Sequence, residues 1–240
     1  MDDSHPSDRS ADVVLAVPEI RDYRAINSEI VRHLDAGCRA IRLAGVRGQR
    51  LLAAGLSGPW TATIEVDGDA GPELGAGLDA PGLTVIGLGN AADGAASRLS
   101  AGRLVVLGNV GMAFGYALRG GLALAVGDVA ARAGLCQSGG DIVLLGRVGT
   151  LAGDRQSGGR LFARADRIGP HAGRGHRGGR FIRVPADDAG DQGPLSPSGG
   201  HAEMLECLGP LLLWPGSMAR WLGAGLGGTS ITPGKTGQSE

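Results

Sequence analysis

Glycine recurs in this chain at a fixed interval. Gly89, Gly108, Gly127 and Gly146 stand 19 residues apart. A second set follows the same interval at Ala101-Gly102, Gly120-Gly121, Gly139-Gly140 and Gly158-Gly159. A third glycine lies between them in most copies, at Gly75, Gly115, Gly134, Gly153 and Gly173. A constant period of this length describes a chain that coils and stacks on itself, and it restricts the fold more than any other feature of the sequence.

The clearest copies run from Arg103, Leu122 and Asp141, each ending on a glycine. Each carries a short aliphatic run bounded by glycine: Leu104–Leu107, Leu122–Val126 and Ile142–Leu145. Such runs read as buried strands rather than helices. Aligning the copies produces two columns, Leu107/Val126/Leu145 and Val105/Leu124/Val143. Residues two apart on a strand face the same way, so both columns are expected to point into the coil. Glycine supplies positive φ and close backbone approach at the corners. The expected fold is an all-β solenoid, a parallel β-helix of about six coils over residues 61–184. The outer copies degrade. Ala96 replaces the middle glycine of its copy, and Asp166 stands where a first glycine is due.

The remaining segments flank this core. Residues 1–22 read as a disordered N-terminus. Residues 23–60 read as a helix and strand cap. Ile26, Ile30 and Leu34 recur every four residues, Gly37 stops the helix, and a strand follows at Ala40–Leu43. Residues 185–240 form a linker and a C-terminal extension, with a helical segment over His201–Trp221 broken at Pro210 and Pro215.

Composition excludes several function classes. The net charge is −1 and aromatic residues make up 3% of the chain, which argues against nucleic acid and membrane as partners. The three cysteines, Cys38, Cys136 and Cys207, have no pairing pattern and fit a reducing compartment. No signal sequence opens the chain, and a cytoplasmic location is expected.

Chemical motifs are few. Gly87-Leu88-Gly89-Asn90-Ala91-Ala92 resembles a dinucleotide-binding turn, but the next strand arrives within about ten residues and leaves no room for the required helix. No serine lies in G-x-S-x-G. The acids Glu65, Asp67, Asp69, Asp93, Asp128 and Asp141 fall mostly at expected coil corners, where Asp and Asn suit turns. Cys136 reads as a packing residue. The segment 164–183 gathers Arg164, Arg167, His171, Arg174, His176, Arg177, Arg180 and Arg183 into a basic rim that faces water or another subunit. His171 and His176 lack metal-ligand partners. No catalytic, cofactor-binding or metal-binding residue is expected on the chain. Its characteristic residues are the structural glycines Gly89, Gly108, Gly115, Gly121, Gly127, Gly134, Gly140, Gly146, Gly153 and Gly159.

The run from Gly108 to Gly121, and the two coils after it, resemble the G-x-x-G-x-x-x-G repeat domain at the C-terminus of the glutamate synthase large subunit. The front of the chain is similar to the stand-alone form of that domain, through Ile26-Asn27 and Gly45-Val46-Arg47-Gly48-Gln49-Arg50, as is Asn90–Gly94. The resemblance spans Tyr23–Val184. It implies a right-handed parallel β-helix and a non-catalytic scaffold subunit of a glutamate-synthase-like oxidoreductase. The expected partners are glutaminase-type and flavoprotein subunits, which would carry FMN and an iron–sulfur cluster; no cofactor is expected on this chain. A related branch supplies the alternative: the C-type subunit of formylmethanofuran dehydrogenase and of the formyltransferase/hydrolase complex. A free-standing enzyme using the rim near His171 and His176 is the third possibility, and the lack of an acid–base constellation weighs against it.

Overall fold

The computed structural model describes residues 12–19, 22–185 and 199–212. The chain forms a right-handed parallel β-helix of about seven turns. Its strands are β1 (Val13–Ala16), β2 (Ala40–Arg47), β3 (Ala62–Asp69), β4 (Asp79–Gly87), β5 (Ala101–Val106), β6 (Leu122–Ala125), β7 (Ser138–Leu144), β8 (Ser157–Arg164) and β9 (Gly178–Val184). They line up in sequence order in one sheet, every neighbouring pair parallel. A second, narrower ladder joins Ala70, Ala91, Val110, Val129, Val148 and Ile168 on another side of the coil.

The third side is a corner with an unusual backbone. In each turn three residues spaced two apart take left-handed φ, as at Ala113, Gly115 and Ala117 or at Arg132, Gly134 and Cys136. Their amides alternate in direction. Ala113 and Ala117 donate to Ala131 and Leu135 in the following turn, whereas Gly115 donates to Ala95 in the preceding one. The corner therefore satisfies its own backbone by bonding to both neighbours, as a buried chain must.

This corner also reveals turns that the glycines do not mark. Leu51, Ala53 and Gly55 carry the same left-handed pattern, so residues 40–60, expected as part of a cap, form a complete first turn. That makes seven turns where about six were expected. The repeat was hidden because Ala53 holds the middle corner position, which is glycine in most later turns. Val13–Ala16 likewise belongs to the sheet rather than to a disordered tail. It pairs with β2, and the Asp12 carboxylate accepts bonds from the amides of Arg39 and Ala40 at 2.6 and 2.9 Å.

Helix α1 (Tyr23–Asp35) starts at Asp22, whose carboxylate accepts the Arg24 amide at 3.1 Å. Its buried stripe is Ile26, Ile30 and Leu34, which joins the core of the first turn. Asn27 fastens it there, donating to the Leu51 carbonyl at 2.9 Å and accepting the Ala53 amide at 3.0 Å. A solenoid needs such a closure at its first coil.

The interior columns lie one residue out of phase with expectation. The side chains pointing into the coil are Val85/Leu104/Ala123/Ile142/Leu161 and Val106/Ala125/Leu144/Ala163. The expected column Val105/Leu124/Val143 is fully buried, but on the opposite face of the sheet, with Ile86, Phe162, Leu145 and Leu122. Leu107 and Val126 pack against that same outer cluster. Helix α2 (Gly199–Leu212) lies over it through Met204 and Leu208. These strands are apolar on both faces, as in other parallel sheets covered on both sides, and alternation then carries no phase. The helix runs through Pro210 to Leu212 rather than breaking there. Pro215 and Trp221 lie outside the described residues.

Two interior positions are polar. Gln137 and Gln156 occupy the corner column that is Leu78, Leu99 and Leu118 in earlier turns, and both are wholly buried. The Gln137 side-chain amide donates to the carbonyls of Gly139, Gly140 and Arg160 at 3.0–3.2 Å, and its oxygen accepts from Gln156 at 3.2 Å. Among the described residues the Gln156 side-chain oxygen has no donor.

The glycine corners separate two costs. Gly173 has φ +74° and open space where a Cβ would stand. Gly140 has φ +64°, and its Cβ would lie 2.6 Å from the Gly120 carbonyl carbon. Gly173→Ala is expected to cost about 1 kcal/mol, from left-handed φ alone. Gly140→Ala is expected to cost about 2–4 kcal/mol, because the backbone of the preceding turn must also move. Urea denaturation of the two variants checks this, and equal losses would show that coil spacing contributes nothing.

Candidate functional site

The structural glycines fall into three columns. Gly89, Gly108, Gly127 and Gly146 sit where successive turns touch: a Cβ on Gly108 would lie 2.6 Å from the Gly89 carbonyl oxygen, and one on Gly127 would run into the Gly108 carbonyl. No φ in the left-handed range is involved there, so close approach alone requires glycine. Gly115, Gly134 and Gly153 form the middle left-handed column, and Gly121, Gly140 and Gly159 combine left-handed φ with close approach. The residues after Gly89 make no helix; Ala91 instead bridges Ala70 and Val110, so the dinucleotide-like run is a coil corner.

Beside the first column runs a ladder of short polar side chains. The Oδ1 atoms of Asp69, Asn90, Asn109 and Asp128 each accept the amide one turn further on, at 2.7–2.9 Å, ending at Arg147. Asp93 does the same for Met112 at 2.7 Å. The corner reading of Asp69, Asp93 and Asp128 therefore stands. Asp67 and Asp141 are instead strand residues on the outer face. Asp67 pairs with Arg42 at 2.8 Å. At Asp166 the missing glycine is accommodated by a 3-10 turn over Ala165–Arg167. Its carboxylate receives the Arg164 guanidinium at 3.2 Å, which holds it below the usual carboxylate range.

The basic rim does not form one surface. Arg164 and Arg167 are both drawn to Asp166. Arg180 reaches Glu203 of α2 through two bonds of 2.7 and 3.0 Å. Arg183 lies over the Phe181 ring. His171, Arg174, His176 and Arg177 belong to the corner of the last turn and are exposed. Among the described residues no three His, Cys, Asp or Glu side chains converge as a metal site.

Among the described residues two concave surfaces stand out. One, of about 560 Å³, lies beside α2 and is lined by Pro81, Arg103, Leu122, Asp141 and Cys207. Its polar edge is a two-bonded pair: the Arg160 Nε and Nη2 donate to the two Asp141 oxygens at 2.7 and 2.8 Å. The bond from Asp141 raises the Arg160 guanidinium above its already high range. The Cys207 thiol donates to the same carboxylate at 3.6 Å. Together with Arg180–Glu203 this fixes α2 against the sheet. The other concavity, of about 580 Å³, opens on the left-handed corners of the last three turns and is lined by four arginines. Sequence reading did not find it, because Arg132 and Arg155 are isolated along the chain and meet Arg174 and Arg177 only after coiling.

Among the described residues no helix is long and apolar enough to cross a membrane. Cys136 has φ +58°, is partly buried and is free, as are Cys38 and Cys207.

Burial, and then the Asp141 charge, push the Cys207 thiol from 9.0 up to about 11. It is therefore protonated at neutral pH and a poor nucleophile. Because the folded state holds this proton more tightly, its contribution to stability is intact below about pH 9 and is lost as pH rises towards 11. The melting temperature of the native chain is expected to fall more steeply over that range than that of Cys207→Ala. Parallel curves would show that the thiol is not held in this contact.

Comparison with protein-family models, with curated proteins and with solved structures gives no match.

Proposed function

We propose that this chain is a non-catalytic scaffold subunit of a glutamate-synthase-like oxidoreductase complex of nitrogen metabolism in the cytoplasm. The observation that carries this reading is the G-x-x-G-x-x-x-G unit, complete at Gly68–Gly75, Gly108–Gly115 and Gly146–Gly153, with the glycine columns Gly89/Gly108/Gly127/Gly146 and Gly121/Gly140/Gly159 at the close approaches between turns. The front of the chain supports the same reading. Asn27, part of the Ile-Asn start that resembles the stand-alone repeat domain, ties α1 to the corner of the first turn.

The physical character of the stack suits a bracing role. Its interior is filled mainly by aliphatic side chains, with Phe114, Gln137 and Gln156 among them. Its backbone amides are bonded to the turn before or the turn after, so a partner docked at one turn is held at a fixed distance from a partner docked at another. Met112 and Tyr116 stand exposed together on one corner at 48% and 37%, a small apolar patch of the kind a subunit can cover. FMN and the iron–sulfur cluster belong, on this reading, to the flavoprotein partner, and glutamine hydrolysis to a glutaminase-type partner.

Purification of the tagged full chain from its own cells tests the reading. Glutaminase-type and flavoprotein subunits are expected to come with it, with the yellow chromophore in their fraction and glutamine-dependent turnover of 2-oxoglutarate in the assembly alone. An amidohydrolase-type partner would instead support the C-type subunit of a one-carbon formyl-transfer complex. Turnover by the isolated chain that is lost on changing His171 or His176 would make it an enzyme in its own right.

A further inference from the structure

The left-handed corners differ in what they carry. Their third position is Gly55, Gly77, Arg98, Ala117, Cys136, Arg155 and Gly175 in successive turns, and their first position includes Arg132. An L-residue is disfavoured in this conformation, and a large one gains nothing from it locally. Arg132 and Arg155 nevertheless hold φ +66° and +54° and are exposed.

Coiling brings these two together with Arg174 and Arg177 around the concavity of about 580 Å³. Leu135 and Leu151 are the apolar part of its lining, and Asp154 is the single acid in it. Arg155 approaches Asp154 at 3.6 Å. Among the described residues no carboxylate lies within 4.0 Å of Arg132, Arg174 or Arg177. Four guanidinium groups against one carboxylate leave a charge of +3 in one groove of a chain whose net charge is −1.

The backbone adds a donor at the same place. In the preceding turns the third corner residue gives its amide to the next turn: Arg98 to Tyr116, Ala117 to Leu135, Cys136 to Asp154 and Arg155 to Arg174, at 2.7–2.9 Å. Gly175 ends this column and lines the groove. Among the described residues its amide has no acceptor, and the residue is exposed. It adds one backbone donor to the groove, while the flanking amides of Arg174 and His176 are spent on the carbonyls of His171 and Gly173.

We propose that this groove is a binding site for a small polyvalent oxyanion of the phosphate class, a molecule with two or more phosphoryl groups. Planar guanidinium forks match phosphoryl oxygens with paired bonds, and several forks around one groove favour a ligand with several such oxygens. The volume lies in the range of small-molecule sites. Nothing in this assignment requires the partners proposed above, since the groove is built by this chain alone.

Isothermal titration of the full chain with inorganic tripolyphosphate tests it. Saturable one-to-one binding is expected, about tenfold weaker or more when Arg174→Gln and Arg177→Gln are combined. Arg119→Gln, an exposed arginine outside the groove, is expected to leave the binding unchanged. Arg155→Gly separates binding from folding. It removes a cation while installing the residue that the corner prefers, so the melting temperature should rise while affinity falls. Three results would overturn the proposal. They are absence of saturable binding, binding insensitive to the Arg174/Arg177 pair, and equal binding of the tricarboxylate tricarballylate, which would show general attraction of anions without phosphoryl selectivity.

Discussion

The structure depends on how closely one turn lies upon the next. A carbonyl oxygen of each turn occupies the space where a side chain of the following turn would begin, along the column Gly89, Gly108, Gly127 and Gly146 and again along Gly121, Gly140 and Gly159. Glycine at these places lets the ladders on all sides of the coil form together. Strand pairs close the broad sheet, the Val110–Val129–Val148 bridges close the narrow one, and alternating corner amides close the third side. The Asp69–Asn90–Asn109–Asp128 ladder adds a side-chain bond per turn at the same corner as the first glycine column. A Cβ in either column would push apart all of these contacts at once, because they share a single spacing.

This interdependence explains what could be read from the chain in advance. A requirement for absent atoms is written directly as glycine, so the period, the positions of β5 to β7 and the parallel stacking were all legible. Helix α1 was legible for a different reason: it has one apolar stripe, Ile26, Ile30 and Leu34, and a polar remainder. The sheet carried no such asymmetry. Val105 and Val106 are both fully buried, on opposite faces, and the sequence around them cannot say which face closes the coil. The outer face is apolar because it packs with α2, which lies far along the chain from β5. The first turn was not legible because Ala53 stands where most turns have their middle glycine, and β1 because four residues pairing with β2 leave no periodic trace.

The charged surfaces follow the same logic. A cluster along a strand or corner column is separated in sequence by a whole turn, so local density misleads. The rim over residues 164–183 is dense in arginine, yet its members disperse to Asp166, Glu203, the Phe181 ring and the last corner. The four arginines that do meet come from three turns and include two, Arg132 and Arg155, with no basic run around them. Gln137 and Gln156 were invisible for a related reason. In sequence each is one polar residue in a loop, and only the column of Leu78, Leu99 and Leu118 beneath them reveals that they replace core leucines.

A stack with one spacing behaves as a ruler. From Gly89 to Gly146 each turn consumes 19 residues and advances the chain by one strand separation, about 4.8 Å. The span between α1 at one end and the arginine groove at the other is therefore quantised: it can change only in whole turns. Removing Leu122–Gly140 would bring the two ends one step closer while returning every glycine, every Asx residue and every interior side chain to register. A loss from the same region that is not a whole number of turns would set a side chain against a carbonyl in the next turn. The protein's length is thus a discrete variable, adjustable by duplication or deletion of single turns and resistant to smaller adjustment.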